Sequence, residues 1–284
     1  MHDKRVQWAY RILDTFFTFI RVMGKTRFSK TVPISKKKIS CLVCGNGPSL
    51  SKSLYEIENK LENYDIIVVN FMALSPEYQQ FKPKTYVLCD PAFWLETNEQ
   101  TKTKVMTFYR HLSNITHWEI QLYIPYESKK VKEINQILSA NKKIQIVYYN
   151  KTKIEGFKSI QYPIINKQWG MFKPQNVLVA ALMLAIYSKY ENIYLVGAES
   201  DFLMHVWVDN ENKVRMDDYH FYKEKPDETK RIISEFDYAN LVQAFLNMFK
   251  SYNCISLYAK QKKINIINAT PFSNIDAFER GSIK

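Results

Sequence analysis

Glycine is scarce in this chain, with seven in 284 residues. Each one therefore reads as a backbone requirement rather than filler, and two fall within a single pentapeptide. Cysteine is scarcer still. Four residues (Cys41, Cys44, Cys89 and Cys254) make no disulfide framework for a chain of this length. Cys41 and Cys44 form a C-x-x-C, yet no second Cys pair or His pair completes a zinc site. They lie in the apolar run Ile39–Cys44, which reads as a buried strand, so buried thiols in a reducing cytoplasm are expected. No apolar run is long enough to span a bilayer, since Trp8–Met23 is interrupted by Arg11, Asp14 and Arg21. No secretory signal pattern precedes it. An Asp-x-Asp after a strand is also missing, and with it a common divalent-metal motif.

What remains is ordinary globular composition, 46% hydrophobic and 24% charged, unusually rich in Tyr (19) and Phe (17). The length allows one large α/β domain or two small ones. The net charge of +12 is uneven, with ten Lys/Arg against two acids in the first 40 residues. This divides the chain into a basic N-terminal arm, residues 1–38, and a catalytic domain, residues 39–284. Within the arm, Tyr10, Phe16, Phe17, Ile20 and Met23 share a helical face. Such a helix either lies on an anionic membrane or packs on the domain or on another subunit.

From Lys38 onward strand-like runs alternate with helical patterns, the signature of an α/β fold: a Rossmann-like, mostly parallel sheet with helices on both faces. Strands are predicted over 39–44, 65–70, 85–89, 120–124, 144–149, 192–196 and 265–268. Helices are predicted over 51–61, 100–112, 128–140, 174–187 and 227–252, with Pro174 in a first turn. Residues 202–226 fit neither period and follow a strand end, as a lid over a ligand crevice would.

The strongest local feature is Gly45-Asn46-Gly47-Pro48-Ser49-Leu50, directly after the first strand. Backbone without side chains can approach a phosphate or ribose, and Ser49 is suited to cap the following helix. A tight structural turn accounts for the same residues equally well. Leu50 excludes a dinucleotide fingerprint, and no Gly-Lys-Ser/Thr follows to make a Walker loop.

This segment resembles the opening of glycosyltransferase family 42, bacterial sialyltransferases that use CMP-N-acetylneuraminic acid. Val69-Asn70-Phe71 is similar to the family's second-strand segment, whose asparagine contacts the nucleotide. Cys89-Asp90-Pro91-Ala92-Phe93 is similar to its Asn-Pro-Ser motif, with aspartate in place of asparagine. Gly197-Ala198-Glu199-Ser200-Asp201-Phe202 resembles its Gly-x-Asp-Phe. The resemblance extends, over roughly 39–275, to a polysaccharide-cluster group labelled as pterin pyrophosphokinase-like. Asp218-Tyr219-His220-Phe221-Tyr222 and the turn from Asn268 through Pro271 to Ser273 match that group.

The resemblance implies an enzyme that moves a sialic-acid-type sugar from a CMP-sugar to a glycan or glycolipid acceptor. The thiols point to the cytoplasm, and the basic N-terminal helix either rests on the inner membrane or packs on protein. The resemblance implies no metal and no cofactor beyond the donor itself. His220 is the expected general base, titrating near neutrality and oriented by Asp217 or Asp218. The family stabilises the leaving phosphate with lid tyrosines. Here His205, Tyr219 or Tyr222 would take that part, because no tyrosine lies between Phe202 and Tyr219. Asn46, Gly47, Ser49, Asn70, Asp90 and Pro91 would form the nucleotide side, and Asn176, with Lys173 nearby, the donor-sugar side. If Mg²⁺ were used, Glu199, Asp201, Asp217 and Asp218 would be its ligands. Otherwise Asp201 organises the crevice through backbone hydrogen bonds. Two other classes compete: a Mg-dependent pyrophosphokinase-like enzyme and a basic nucleic-acid-binding protein. The latter is disfavoured because the charge sits in the arm rather than along a groove.

Overall fold

The computed structural model describes residues 4–31, 33–95, 98–217, 230–232 and 237–284. Chain order is α1 (Lys4–Lys25), β1 (Ser40–Cys44), α2 (Leu50–Glu56), β2 (Asp65–Val69), α3 (Pro76–Phe81), β3 (Thr85–Val87), α4 (Glu99–Ile115) and β4 (Ile120–Pro125). It continues through α5 (Lys132–Ser139), β5 (Ile144–Tyr149), α6 (Lys158–Asn166), α7 (Val177–Tyr187), β6 (Asn192–Val196), β7 (Val206–Val208) and β8 (Val214–Asp217). β9 (Lys230–Ile232), α8 (Tyr238–Gln261), β10 (Asn265–Asn268) and β11 (Glu279–Arg280) complete it.

These elements form two compact units. One holds α1 and the segment up to Ser35 together with Lys84–Lys189; the other holds Lys36–Pro83 and Tyr190–Lys284. The boundary between units thus falls at residues 35, 83 and 189, and α1 clusters with the first unit.

In the first unit β3, β4 and β5 pair in parallel. β4 is buried along its whole length, so its one polar side chain must be satisfied internally. Gln121 accepts from the Ser35 amide (2.7 Å) and donates to Gln145 (3.1 Å). β5 is less fully covered than β4, with Gln145 exposed, Ile146 and Tyr148 half-buried and Ile144, Val147 and Tyr149 buried. α7 is buried from Val177 through Ile186, which explains its uniformly apolar sequence.

α1 docks on this unit mainly through hydroxyls, and of its aromatic residues Trp8 packs edge-on against Phe157 (centroids 6.3 Å apart). Thr18 Oγ1 donates to the Glu155 carbonyl (3.1 Å) and accepts from the Glu155 amide (2.9 Å). Thr15 accepts from the Phe157 amide, and Thr26 donates to the Trp169 carbonyl. Gly156 (φ +100°) brings its backbone against Thr15, where a Cβ would lie 2.0 Å from Oγ1. Arg21 pairs with Glu155 at 3.2 Å. Asp14, on the same face, has its carboxyl pushed above the ordinary range by burial and by Glu155. Thr18→Val should therefore cost about 1–2 kcal/mol, seen as a lower urea midpoint, because it strands a backbone N–H and C=O together. A midpoint equal to wild type would mean that the helix docks by other contacts.

The second unit is a parallel sheet in the order β11-β10-β6-β1-β2, plus a small antiparallel sheet β7-β8-β9. β1 and β2 read as unbroken apolar runs because parallel strands are covered on both faces. Asp65, the exception, is buried and accepts from the Lys37 and Lys38 amides and from Tyr190 Oη. Cys41 and Cys44 are fully buried in β1, as the apolar run predicts. Burial pushes the Cys44 thiol up to about 12 and Cys41 up as well. Cys89, in the first unit, is buried too, with its thiol raised to about 11. Native protein at pH 8 should therefore lose only the half-buried Cys254 to iodoacetamide, checked by intact mass. Rapid labelling of Cys41 or Cys44 would reopen a redox reading.

Four predicted elements differ from the structure. α7 starts at Val177 rather than Pro174, because the Asn176 side chain caps it by accepting from the Val179 amide (3.1 Å). The predicted helix 51–61 divides into α2 and a 3-10 helix at Glu58–Asn63. The 128–140 helix likewise opens with a 3-10 turn, Tyr126–Lys130. The 227–252 helix begins only at Tyr238, where Asp237 caps it, and runs on to Gln261; Lys230–Ile232 is strand. Within the expected lid, Phe202–His205 forms a 3-10 turn and 206–217 a β-hairpin. Asp209 closes that hairpin, accepting from the Glu211 and Lys213 amides and from Arg215 Nε.

Candidate functional site

The site lies at the carboxyl ends of β1, β2 and β6 in the second unit. The chain leaves β1 for β2 on one side, while β6 pairs with β1 on the other. Such a reversal of strand order opens a crevice at the strand ends, where α/β proteins bind their ligands. The loop after β1 (Gly45–Ser49), Asn70 at the end of β2 and Gly197–Asp201 after β6 all lie there.

The glycine loop is fitted to its own chain. Gly45 N–H donates to the Val196 carbonyl (2.8 Å), Gly47 N–H to Gly197 (2.9 Å) and Ser49 N–H to Glu199 Oε1 (2.8 Å). Leu50 N–H bonds back to Gly47 (3.1 Å). A Cβ at Gly45 would lie 2.2 Å from the Gly197 carbonyl oxygen, and one at Gly47 would lie 1.6 Å from Glu199 Oε2. Gly197 itself adopts φ +60°. Of the two readings of this loop, close approach to a phosphate or ribose and a tight structural turn, the hydrogen bonds show the turn. Four amides that would have faced an anion are engaged internally, and a buried carboxylate occupies the space the glycines clear. The predicted Ser49 cap is corrected, since its side chain makes no capping bond.

The groups left over in this corner are two acceptor oxygens and one hydroxyl. Asn46 Nδ2 donates to the Val69 carbonyl (3.2 Å), which ties the loop to the end of β2 beside Asn70. Asn46 Oδ1, Ser49 Oγ and Glu199 Oε2 are buried and find no hydrogen-bond partner among the described residues. Glu199 is only 8% exposed. A buried acceptor left unmatched costs of order 1–3 kcal/mol, so such a group calls for a donor. Ribose hydroxyls and an exocyclic amine are donors of the right kind for Asn46 Oδ1 and Glu199 Oε2, while the Ser49 hydroxyl can give or receive a bond.

The turn after β10 holds this corner in place. Ser273 Oγ donates to the Ala198 carbonyl (2.6 Å), Ala198 N–H to Thr270 Oγ1 (3.1 Å) and Asn274 N–H to the Glu199 carbonyl (2.7 Å). Asn268 braces the turn from inside, bonding Ser273, Ile275 and the Thr270 amide. Ser200 sits at φ +53°, a strained backbone kept by these surroundings. Next to it, Asp201 Oδ2 lies 3.1 Å from His205 Nε2. Asp201 was expected to bond backbone; instead it orients an imidazole, the arrangement that fixes which ring nitrogen carries the proton.

The remaining candidates fall elsewhere. Asp90 is exposed in the first unit and caps the turn at Pro91–Phe93 by accepting from the Ala92 amide (2.9 Å). Asn176 caps α7, as described. Lys173 is half-buried in the same unit, with its ammonium pushed below the ordinary lysine range by burial and then by Lys153. His220, Asp218, Tyr219 and Tyr222 lie outside the described residues. Glu199, read from the sequence only as a conditional Mg²⁺ ligand, instead accepts from the Ser49 amide. Its signal was present, two positions after the strand-end glycine, but only a tertiary contact to Ser49 reveals it. Among the described residues no group of three or more His, Cys, Asp or Glu is arranged to hold a metal, and no helix is long and apolar enough to cross a membrane.

No protein-family model matches the chain, and no curated protein does. Among solved structures the chain is similar to the MAf glycosyltransferase from Magnetospirillum magneticum AMB-1, at 13% identity and a TM-score of 0.46. That alignment covers 95% of this chain and 38% of the other, so the chain spans well under half of that protein.

Proposed function

We propose that this chain is a glycosyltransferase that takes a sugar, of the sialic acid kind, from a CMP-sugar and passes it to a glycan or glycolipid acceptor. The observation that carries the reading is the pair of buried, unmatched acceptors Asn46 Oδ1 and Glu199 Oε2, with the Ser49 hydroxyl beside them, at the β1/β6 crevice. It suits the hydroxyls and amine of a nucleoside, and its engaged loop amides argue against a triphosphate cradle of the pyrophosphokinase type. The motif resemblance supplies the sugar and the nucleotide.

In this reading His220, oriented by Asp218, takes the proton from the acceptor hydroxyl. The acceptor oxygen then bonds the anomeric carbon as the bond from that carbon to the phosphate oxygen breaks, and CMP departs. His205, held by Asp201, donates to the departing phosphate, with Tyr219 or Tyr222 assisting. No metal takes part.

Thermal unfolding with CMP, CDP, UDP, GDP or ATP, each with and without Mg²⁺, tests this. A ligand at ~100 times its Kd adds about 2.7 kcal/mol to apparent stability. CMP alone is expected to raise the unfolding temperature. Stabilisation by ATP only with Mg²⁺ would overturn the reading in favour of a kinase-like enzyme.

A further inference from the structure

α1 presents its apolar side to solvent. Leu13, Phe16, Phe17, Ile20 and Met23 are between 51% and 73% exposed, while Thr15, Thr18 and Val22 face the unit. The outward arc also includes Val6, Ile12 and Phe19, each at least 41% exposed. At 100° per residue these side chains cover one side of the helix, opposite the threonine face. Monomeric proteins rarely leave so continuous an apolar patch without a purpose. The helix docks by hydroxyls that water could have satisfied and leaves uncovered the rings that water cannot.

Charge selects the occupant. Residues 4–31 carry seven Lys/Arg and one acid, Asp14, which lies on the docked side. Arg5 lies on the exposed side, Arg11 and Lys25 lie along the threonine side but are themselves exposed, and Arg27 and Lys30 follow the helix. A second copy of this helix would bring like charges together across the interface. A bilayer of anionic lipid offers hydrocarbon for the rings and phosphates for the cations. We propose that the exposed face of α1 is a membrane-docking surface. On it the protein rests on anionic lipid, with α1 in the plane of the interface. This inference does not depend on the proposed reaction.

The test is co-sedimentation of the full-length protein with phosphatidylcholine vesicles, with and without phosphatidylglycerol. The companion variant is Phe16→Glu/Ile20→Glu, whose side chains are exposed and so should leave the unfolding temperature unchanged. Wild type should sediment with phosphatidylglycerol vesicles, less so in high salt, and the double variant should bind roughly tenfold more weakly or worse. A Phe272→Glu variant, removing a ring that is 96% exposed outside α1, should bind like wild type. Two results would overturn the proposal. One is equal sedimentation of wild type and the double variant. The other is a wild-type dimer that the double variant converts to monomer with no vesicle binding by either, which would assign the face to a second copy.

Discussion

Gly45→Ala should destabilise the protein by about 3 kcal/mol, at the upper end of the cost of forcing an extra methyl into a packed site. The added Cβ meets backbone, the Gly197 carbonyl, at 2.2 Å. Backbone cannot swing aside as a side chain can, and that carbonyl also receives the Gly47 N–H. Relief requires β1 and β6 to separate where the Gly45 N–H bonds Val196, so a structural bond is lost along with the clash. The measurement is the urea midpoint at unchanged slope. Gly24→Ala is the control: nothing lies within 4 Å of its Cβ and it sits in the last turn of α1. There alanine should stabilise by up to about 1 kcal/mol. If the two variants unfold alike, the close approach of the loop to Gly197 is not a constraint on the fold.

Glu199→Gln is the corresponding test of binding. Its oxygen can still accept from the Ser49 amide, so the loop should keep its shape and the unfolding temperature its value. The second carboxylate oxygen, buried and without a partner, becomes an NH₂ donor. A ligand hydroxyl that met a charged acceptor now meets another donor. Loss of a hydrogen bond to a charged group costs about 1.5–3 kcal/mol, so CMP affinity by calorimetry should fall roughly ten- to a hundredfold. Unchanged affinity with unchanged stability would remove Glu199 from the ligand site. A large fall in stability would make the carboxylate a structural prop for the loop.

The strands were the most legible part of the fold. β5, β6 and β10 begin and end at the residues expected, because each is a short, mostly apolar or aromatic run set between polar and turn residues. Helix starts were less legible. Asp227 and the charges after it read as a helix start, yet β9 occupies 230–232 and the cap is Asp237, chosen by the pairing of β9 with β8. The docking of α1 was half legible. Its aromatic face stands out in the sequence, but nothing local says that Thr15 and Thr18 would face the protein instead.

The site was legible as a place and not as a chemistry. Two glycines after a strand mark close approach, to a ligand or within a tight turn. What approaches is the Glu199 carboxylate and the Gly197 carbonyl. No window along the chain joins them to Gly47, so the acceptor character of the corner stayed hidden. The Asp201–His205 pair lies within one turn and could have been found from its spacing, had the 3-10 turn been foreseen.

Ser49 and Glu199 meet across 150 residues of chain. During synthesis from the N-terminus, β1 and its glycine loop emerge long before β6 supplies their partners. Until then the loop amides have no carboxylate or carbonyl to bond, and β1 has β2 alone beside it. α1 waits similarly, 137 residues ahead of Glu155, with both of its faces bare. Contacts of such span are slow to form. A nascent chain halted before residue 196 already contains every partner of its N-terminal helix but lacks the strand end and carboxylate that fix the glycine loop, and that corner is complete only as the last third of the polypeptide is made.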